Sequence, residues 1–286
     1  MDSLSISIVI PAKNEANGLA SFLPELKNLY SDAEVIVVND GSTDNTSEVC
    51  QQNNVIEVVN KYSLGNGGAI KAGARKATKD IIIFMDGDGQ HDPKDIERLT
   101  TEIANGYDMA IGARDKSSQA SVGRSFANRF YNRLASWMVR QKVEDLTSGF
   151  RAVRREKFLE FLHLLPNGFS YPTTCTMAFF RSGYSVKYVP IVAHTRIGIS
   201  HINIFKDGMR FLLIIFKIGT LFSPLKLFVP ISASLFLTGG LYYLYTLITA
   251  GRFTNMSATI LLSALIVFLI GLVSEQITML MYKKNK

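Results

Sequence analysis

An apolar run that ends at two carboxylates is the feature that most constrains the fold of this chain. Residues Ile81–Met85 are all apolar and are followed directly by Asp86, Gly87 and Asp88. A short apolar run bounded by turn-forming residues predicts a strand buried on both faces, as in a parallel sheet covered by helices. Ligands bind beyond the carboxyl ends of such strands, so an oxygen-rich site for Mg²⁺ or Mn²⁺ carrying a diphosphate is expected here. An isolated pair of this kind is more often an acidic turn, and the other motifs decide between the two interpretations.

Strand-like and helix-like segments alternate through residues 1–200. Strands are predicted over Ile6–Ile10, Glu34–Val38, Val55–Val59, Ile81–Met85 and Met109–Ile111. Helices are predicted over Glu15–Leu29, Thr43–Gln52, Gly68–Thr78, Pro93–Asn105 and Gln119–Arg140. This alternation predicts an α/β fold with a mostly parallel sheet and helices on both faces.

The C-terminal part of the chain is nearly all apolar. Two spans, from about Leu225 to Ala250 and from about Met256 to Tyr282, are each long enough to cross a bilayer, which takes about 20 helical residues. The short connection around Arg252 predicts a hairpin, and the lysines before and after it place both ends in the cytoplasm by the positive-inside rule. A pair of core helices in a soluble protein is the competing interpretation, but little of the chain remains to bury two such spans.

The segment Asn203–Gly219 alternates apolar with charged residues, which predicts an amphipathic helix lying in the membrane interface. The predicted organisation is therefore a catalytic domain over residues 1–200, a juxtamembrane segment over 201–223, two transmembrane helices over 224–282 and a basic tail over 283–286. No secretory signal precedes the first strand, so the catalytic domain is expected on the cytoplasmic face of the cytoplasmic membrane.

Charge and cysteine content disfavour several classes of protein. The net charge of +7 suits contact with anionic lipid head groups. Nucleic-acid binding is disfavoured because the basic residues form no compact run with interleaved aromatics. Cys50 and Cys175 lie far apart without a CxxC pattern, which disfavours a disulfide framework or a zinc site.

Four further polar motifs accompany Asp86 and Asp88. They are Pro11-Ala12-Lys13-Asn14-Glu15, Asn39-Asp40-Gly41-Ser42-Thr43-Asp44, Gly65-Asn66-Gly67-Gly68 and Asp145-Leu146-Thr147-Ser148-Gly149-Phe150-Arg151. The first three follow predicted strands, so they are expected to converge on the same rim of the sheet. Taken alone, Asp40 and Asp44 are ordinary turn and cap residues, and Gly65–Gly68 is a simple loop.

This ordered set resembles the inverting family 2 glycosyltransferases with a GT-A fold, in particular the branch of dolichyl-phosphate mannose synthases and bacterial polyprenyl-phosphate glycosyltransferases. The segment Thr195–Ser200, followed by an amphipathic stretch and two apolar spans, also fits this branch. The resemblance implies a UDP- or GDP-linked sugar donor, a polyprenyl phosphate acceptor such as undecaprenyl or dolichyl phosphate, and Mg²⁺ or Mn²⁺ as cofactor. A homo-oligomer is compatible with it, and the sugar is left open.

The resemblance also implies roles for individual residues. It places the nucleotide-sugar against Pro11, Asn14, Glu15, Asp40, Asp86 and Arg114. It gives the metal to Asp88 and Gln90 with Asp86, and the acceptor phosphate to Arg124, Arg196 and Ser200. The implied catalytic set is Asp145, which matches the carboxylate usually proposed as general base, together with Arg124 and Arg196. One departure is Asn39, because many relatives carry Asp there.

The acceptor decides what Asp145 has to do. A phosphate monoester has a second pKa of about 6, so it is largely ionised at neutral pH and needs no base to become a nucleophile. Asp145 would then orient an arginine or the sugar. A hydroxyl acceptor such as a diacylglycerol would require a true base, and a catalytically silent membrane scaffold is the alternative outside enzymes. Glu275, inside the second apolar span, is expected to serve helix packing or anchoring.

Overall fold

The chain divides into two compact units, Met1–His201 and Ile202–Lys286. Within them, the computed structural model describes residues 5–114, 122–168, 170–192, 216–217 and 219–281, without the side chains of residues 122–128 and 130. The predicted amphipathic segment Asn203–Gly219 therefore lies almost wholly outside the described residues, and so do Arg196 and Ser200.

A seven-stranded sheet occupies the centre of the described part of the first unit. Its strands are β1 (Ile6–Ala12), β2 (Glu34–Asn39), β3 (Ile56–Val59), β4 (Ile81–Phe84), β5 (Met109–Arg114), β6 (Arg151–Arg154) and β7 (Val186–Ile191). The spatial order is β3-β2-β1-β4-β6-β5-β7. Neighbouring strands are parallel except at β6, which runs antiparallel to both β4 and β5.

Helices connect these strands. They are α1 (Ala16–Leu29), α2 (Thr46–Gln52), α3 (Asn66–Lys76), α4 (Asp95–Ala104), α5 (Val122–Val139), α6 (Arg155–Leu159) and α7 (Tyr171–Arg181). The five predicted strands and five predicted helices are all confirmed, with ends that differ by a few residues. The sequence patterns did not predict β6, β7, α6 or α7.

Periodic apolar positions attach the helices to the sheet. Leu19, Leu23 and Leu26 of α1 lie on one helical face and are fully buried. Each such side chain contributes about 1.5–3 kcal/mol on burial. The strand β4 is buried along its whole length between β1 and β6, which confirms the prediction from its uniformly apolar sequence.

The second unit contains two long apolar helices, α8 (Pro224–Ala250) and α9 (Asn255–Met281). Both are long and apolar enough to cross a membrane, and most of their residues are exposed rather than packed in a core. Gly251 ends α8 with a left-handed φ of 63°, which turns the chain back toward α9. Ser232 donates to the backbone oxygen of Ala264 at 2.8 Å and ties the two helices together. The predicted hairpin is confirmed.

Glu275 of α9 is almost fully buried within this hairpin. Its carboxylate accepts a hydrogen bond from the backbone N–H of Leu225, in the first turn of α8, at 3.4 Å. An N-terminal N–H has no partner within its own helix, and the helix dipole favours a negative group there. The contact is consistent with the predicted packing role for this carboxylate.

Candidate active site

The carboxyl ends of three parallel strands bring the predicted motifs to one rim of the sheet. Ala12 at the end of β1 pairs with Asn39 at the end of β2, and Val9 of β1 pairs with Phe84 at the end of β4. The loops that start after Ala12, Asn39 and Phe84 therefore begin side by side. This register is why motifs that are distant in sequence share one edge.

The loops after β1 and β2 are tied to each other by side-chain hydrogen bonds. The backbone N–H of Asn14 donates to Ser42 Oγ at 3.0 Å, and Thr43 N donates to Asn14 Oδ1 at 2.7 Å. Ala16, the first residue of α1, donates its N–H to Asp44 at 3.1 Å. Pro11 lies buried within β1, and Glu15 directly precedes α1. The structure thus gathers Pro11, Asn14 and Glu15 as the prediction requires, while their contact with a nucleotide stays a prediction.

Asp40 is buried and fully engaged by the loop that follows β3. Its carboxylate accepts four hydrogen bonds of 2.7–2.8 Å, from Asn60 Nδ2, Leu64 N, Ser63 Oγ and Gly65 N. Burial alone would raise the pKa of this carboxyl, but these donors outweigh it and lower the pKa of Asp40. Its observed partners are therefore loop groups, and the expected contact with base or ribose stays a prediction.

Asn39 joins three elements at the same rim. Its side-chain amide donates to Ser47 Oγ at 3.0 Å and to Glu57 Oε1 at 2.9 Å, and its oxygen accepts from Ser42 N at 2.9 Å. An aspartate here would place a second carboxylate against Glu57. The pairing of an amide with Glu57 is a physical reason for Asn39 in this chain.

Asp86 lies at the junction of three loops. Its Oδ2 is 3.6 Å from His91 Nε2, and the His91 ring stacks on Phe150 with centroids 4.7 Å apart. A Cβ built on Gly149 would stand 2.8 Å from Oδ2 of Asp86, so a larger residue there would force the loop or the carboxylate to shift. Burial tends to raise the pKa of Asp86, but the hydrogen bond and charge of His91, the charge of Arg114 and a hydrogen bond from Asn66 lower it overall.

In the loop after β4, the residues predicted to hold a metal, Asp86, Asp88 and Gln90, offer carboxylate and amide oxygens. The backbone N–H of Gln90 donates to Asp88 Oδ1 at 3.2 Å, which holds the loop in a tight turn. Gly18 of α1 lies directly under Gly87, where a Cβ would collide with the backbone. Among the described residues, no group of three or more His, Cys, Asp and Glu side chains is placed to hold a metal. Carboxylate and amide oxygens fit a hard cation that is shared with substrate phosphates, as Mg²⁺ usually is.

Asp145 forms a bidentate ion pair with Arg114, the last residue of β5. Arg114 Nε lies 2.9 Å from Oδ2, and Nη2 lies 3.1 Å from Oδ1. The backbone N–H groups of Thr147 and Ser148 also donate to Oδ1, at 3.0 and 3.1 Å. Asp145 is only 7% exposed. The structure thus brings Arg114 and Asp145 together, and every one of these partners donates to an ionised carboxylate.

These contacts determine the proton affinity of Asp145. Burial alone would raise the pKa of this carboxyl, but the hydrogen bonds and charge of Arg114 and the backbone N–H of Thr147 hold it below its ordinary value. A general base works best when its pKa lies near the operating pH. Asp145 in this geometry is therefore suited to holding Arg114 and poorly suited to taking a proton.

The glycines at 65–68 are explained by packing. Gly68 N donates to the backbone oxygen of Asn167 at 3.0 Å, and Cβ atoms on Gly65 or Gly67 would collide with backbone atoms of residues 166–168. Asn66, between them, supplies the hydrogen bond to Asp86. The loop places one amide at the site and is otherwise a close contact between α3 and the segment before α7.

Arg151 and Tyr171 hold the Asp145 loop by hydrogen bonds to its backbone. No role was predicted for either residue. The fully buried guanidinium of Arg151 donates to the backbone oxygens of Ser148 and Pro172 and to Thr176 Oγ1. Tyr171 donates its hydroxyl to the backbone oxygen of Gly149 at 3.3 Å. The only sequence signal was the arginine that ends the motif.

Three predicted acceptor residues lie outside the described side chains. Arg124 belongs to α5, but its side chain is not among the described atoms, and Arg196 and Ser200 fall in the undescribed segment. Their contact with an acceptor phosphate stays a prediction.

Family models match both units of the chain. Residues 7–162 match the model of glycosyl transferase family 2, and residues 223–280 match that of the GtrB C-terminal hairpin. The first match covers the strands from β1 to β6 and the loops carrying Asp40, Asp86 and Asp145. The second covers nearly all of α8 and α9.

Curated relatives include transferases. One is undecaprenyl-phosphate 4-deoxy-4-formamido-L-arabinose transferase of Proteus mirabilis, 32% identical over 160 residues, which are 52% of this chain and 49% of that protein. Another is the glycosyltransferase AglJ of Haloferax volcanii, 28% identical over 234 residues, covering 78% of this chain and 75% of that protein. The match thus spans about half the length of the first relative and three quarters of the second.

Solved structures show the same fold. Glucosyl-3-phosphoglycerate synthase from Mycobacterium tuberculosis, in complex with Mn²⁺, UDP and glucosyl-3-phosphoglycerate, gives a TM-score of 0.59 at 20% identity, covering 76% of this chain and 80% of that one. This likeness confirms the GT-A architecture and no more. The family model matches more than half of this chain, so the chain is a glycosyltransferase that belongs to glycosyl transferase family 2.

Proposed function

We propose that this protein transfers one sugar from a nucleotide-sugar to a polyprenyl phosphate at a membrane surface. The observation that carries the proposal is the bidentate pair of Asp145 and Arg114. The carboxylate at the position of the family's base is held ionised, so the site favours an acceptor that arrives as a nucleophile. A phosphate monoester is such an acceptor, since it is largely dianionic at neutral pH.

The relatives and the hairpin support a lipid as the carrier of that phosphate. The Proteus mirabilis relative is named for an undecaprenyl-phosphate acceptor, and residues 223–280 match the model of the GtrB C-terminal hairpin. Two exposed apolar helices suit anchoring in a bilayer. Anchoring raises the effective concentration of the domain at the surface where a lipid phosphate lies.

Different residues of the proposed donor site would bind different parts of the nucleotide-sugar. Asp88, Gln90 and Asp86 would hold a divalent cation, Mg²⁺ or Mn²⁺, together with the donor diphosphate, and that cation supplies charge neutralisation on the leaving group. The rim formed by Pro11, Asn14 and Glu15 would receive the nucleoside. Asp86 is restrained by His91, Asn66 and the Gly149 backbone, so the site is preorganised before a ligand enters.

The reaction is proposed as a single inverting displacement. An oxygen of the acceptor phosphate attacks the anomeric carbon, and the bond from that carbon to the donor diphosphate breaks, releasing the nucleoside diphosphate. No proton has to be removed from a dianionic acceptor. Arg124, Arg196 and Ser200 are proposed to hold the acceptor phosphate, and Asp145 to hold Arg114 in position.

The direct test uses purified full-length protein in lipid nanodiscs. It is assayed with a panel of UDP- and GDP-sugars, with Mg²⁺ or Mn²⁺, against undecaprenyl phosphate, dolichyl phosphate, the corresponding alcohols and diacylglycerol, and products are identified by mass. The proposal predicts a polyprenyl-phosphate sugar as the product. A glycosylated alcohol or diacylglycerol as the main product contradicts it. A reporter fused after Lys286 tests the proposed cytoplasmic location of the C-terminus.

A further inference from the structure

The loop between β3 and α3 is anchored at both ends to the rim of the sheet. Asn60 N donates to the backbone oxygen of Asn39 at 2.9 Å, and Asn60 Nδ2 donates to Asp40. On the other side, Ser63, Leu64 and Gly65 all donate to the same Asp40 carboxylate. One buried carboxylate thus fixes the residues on both sides of Lys61 and Tyr62.

Tyr62 stands out of this loop with 71% of its surface exposed. A lone exposed tyrosine is ordinary, because much of any protein surface is apolar. Here, however, the backbone that carries it is rigidly held. An aromatic ring on a fixed backbone loses little further conformational freedom when it contacts a ligand, because only two side-chain torsions remain.

The backbone of Tyr62 lies against the loop after β2, which is hydrogen-bonded to the loop proposed to receive the nucleoside. Its backbone packs against Gly41, where an added Cβ would stand 3.7 Å from Tyr62 Cα, and Gly41 has a φ of 71°. Ser42, which follows Gly41, accepts a hydrogen bond from the backbone N–H of Asn14 at 3.0 Å. A continuous series of contacts therefore connects Tyr62 with the loop after β1, which is expected to receive the nucleoside.

We propose that Tyr62 is a nucleoside-binding residue whose ring packs against the base of the donor, and that Asp40 acts as the positioning residue that holds its loop. This inference rests on the proposed function. It assigns the role to a residue that no sequence motif identified, and it explains why a carboxylate at the rim directs both oxygens to its own loop. Stacking on an aromatic ring tolerates different bases, since every base has a π-face.

Calorimetric binding with three probes separates the ring contact from other effects. Full-length protein in nanodiscs is titrated, with Mg²⁺ present, with UDP, GDP and inorganic pyrophosphate, which has no base. Tyr62→Ala should lower the affinity for whichever nucleotide binds more tightly by about tenfold, and it should leave the affinity for pyrophosphate unchanged. Tyr62→Phe keeps the ring and should bind like the unmodified protein.

Val59→Ala is the matched control for this experiment. Val59 is 62% exposed at the end of β3, just before the same loop, but offers no aromatic face. Its substitution should leave all three affinities unchanged. Two results overturn the role of Tyr62 alone. One is that Tyr62→Ala binds the nucleotide as tightly as the unmodified protein does. The other is that Tyr62→Ala loses affinity for pyrophosphate as much as for the nucleotide. Failure of the unmodified protein to bind either nucleotide overturns the proposed donor and this inference with it.

Discussion

Arg114 and Asp145 meet in a two-point ion pair in which Nε lies 2.9 Å from Oδ2 and Nη2 lies 3.1 Å from Oδ1. The pair joins the end of β5 to the loop before β6, and it leaves the carboxylate surrounded by donors. The position that the family resemblance assigns to a base is thus built as an anchor for an arginine. The chemistry that follows depends on whether the acceptor needs a base.

Asp145→Asn tests the structural part of this interpretation. The substitution removes the charge that pairs with Arg114, and we expect the free energy of unfolding to fall by about 2 kcal/mol. That is less than for a fully buried pair, because the Arg114 side chain is 33% exposed. Chemical denaturation of the full-length protein, followed by a signal from the catalytic unit, measures this free energy of unfolding. An unchanged stability would show that the pair contributes nothing.

The pH dependence of turnover distinguishes acceptor ionisation from base catalysis. Because the pKa of Asp145 is lowered, the pair's stabilising contribution is complete above the ordinary carboxyl range, about pH 4, and is lost only as pH falls through the lowered value. Asp145 therefore produces no change in rate near pH 6. We predict that kcat/KM rises with pH through the acceptor's second pKa, about 6, and that Asp145→Asn keeps this rise. Loss of the rise in the variant would identify Asp145 as its source.

Gly149→Ala tests the close approach of the Asp145 loop to Asp86. The new Cβ would stand 2.8 Å from the Asp86 carboxylate, so either the loop or the carboxylate has to move. We expect kcat/KM to fall by about tenfold or more, since small displacements of catalytic groups cost this much. Gly168→Ala is the control, because its Cβ would meet no atom within 4 Å. Equal activity of the two variants would show that the approach is unimportant.

Asp88→Ala tests the proposed metal position. We predict that it removes nearly all transfer while the protein still inserts and keeps the stability of the unmodified chain, because Asp88 is only half-buried, in a turn outside the core. Chelation should abolish transfer in the unmodified protein, and added Mg²⁺ or Mn²⁺ should restore it. Full activity with a chelator present would show that the reaction needs no metal.

The helices and strands whose apolar residues form a continuous run or recur at a regular spacing could be predicted from the sequence. The apolar run at Ile81–Met85 and the amphipathic pattern of Glu15–Leu29 each identify their element, and strand ends identify the rim. The strand β6 could not be predicted, because Arg151–Arg154 shows neither an apolar run nor clear alternation. The helix α7 is buried nearly all round, so it lacks the polar face that marks a surface helix.

Side-chain partners were harder to predict than the elements that carry them. Asp40 was predicted at the rim and Asp145 was identified through the family resemblance, but the groups that donate hydrogen bonds to them come from segments that only the folded chain brings near. Gly149 is recognisable as a motif residue, whereas its contact with Asp86 depends on the antiparallel pairing of β6 with β4. Such contacts depend on tertiary geometry, which a local pattern does not contain.

The most direct test of the central claim compares lipid phosphate with lipid alcohol in two variants. Turnover of a matched polyprenyl phosphate and polyprenol is measured for the unmodified protein, Asp145→Asn and Arg196→Ala. The pH range extends about 1.5 units to either side of neutrality, so it includes the phosphate's second pKa of about 6. We predict that only the phosphate is used, and that Arg196→Ala lowers turnover at least as severely as Asp145→Asn, which retains relatively more activity as pH rises. Efficient use of the alcohol, or an Asp145→Asn protein inactive at every pH beside a mildly affected Arg196→Ala, would contradict the claim.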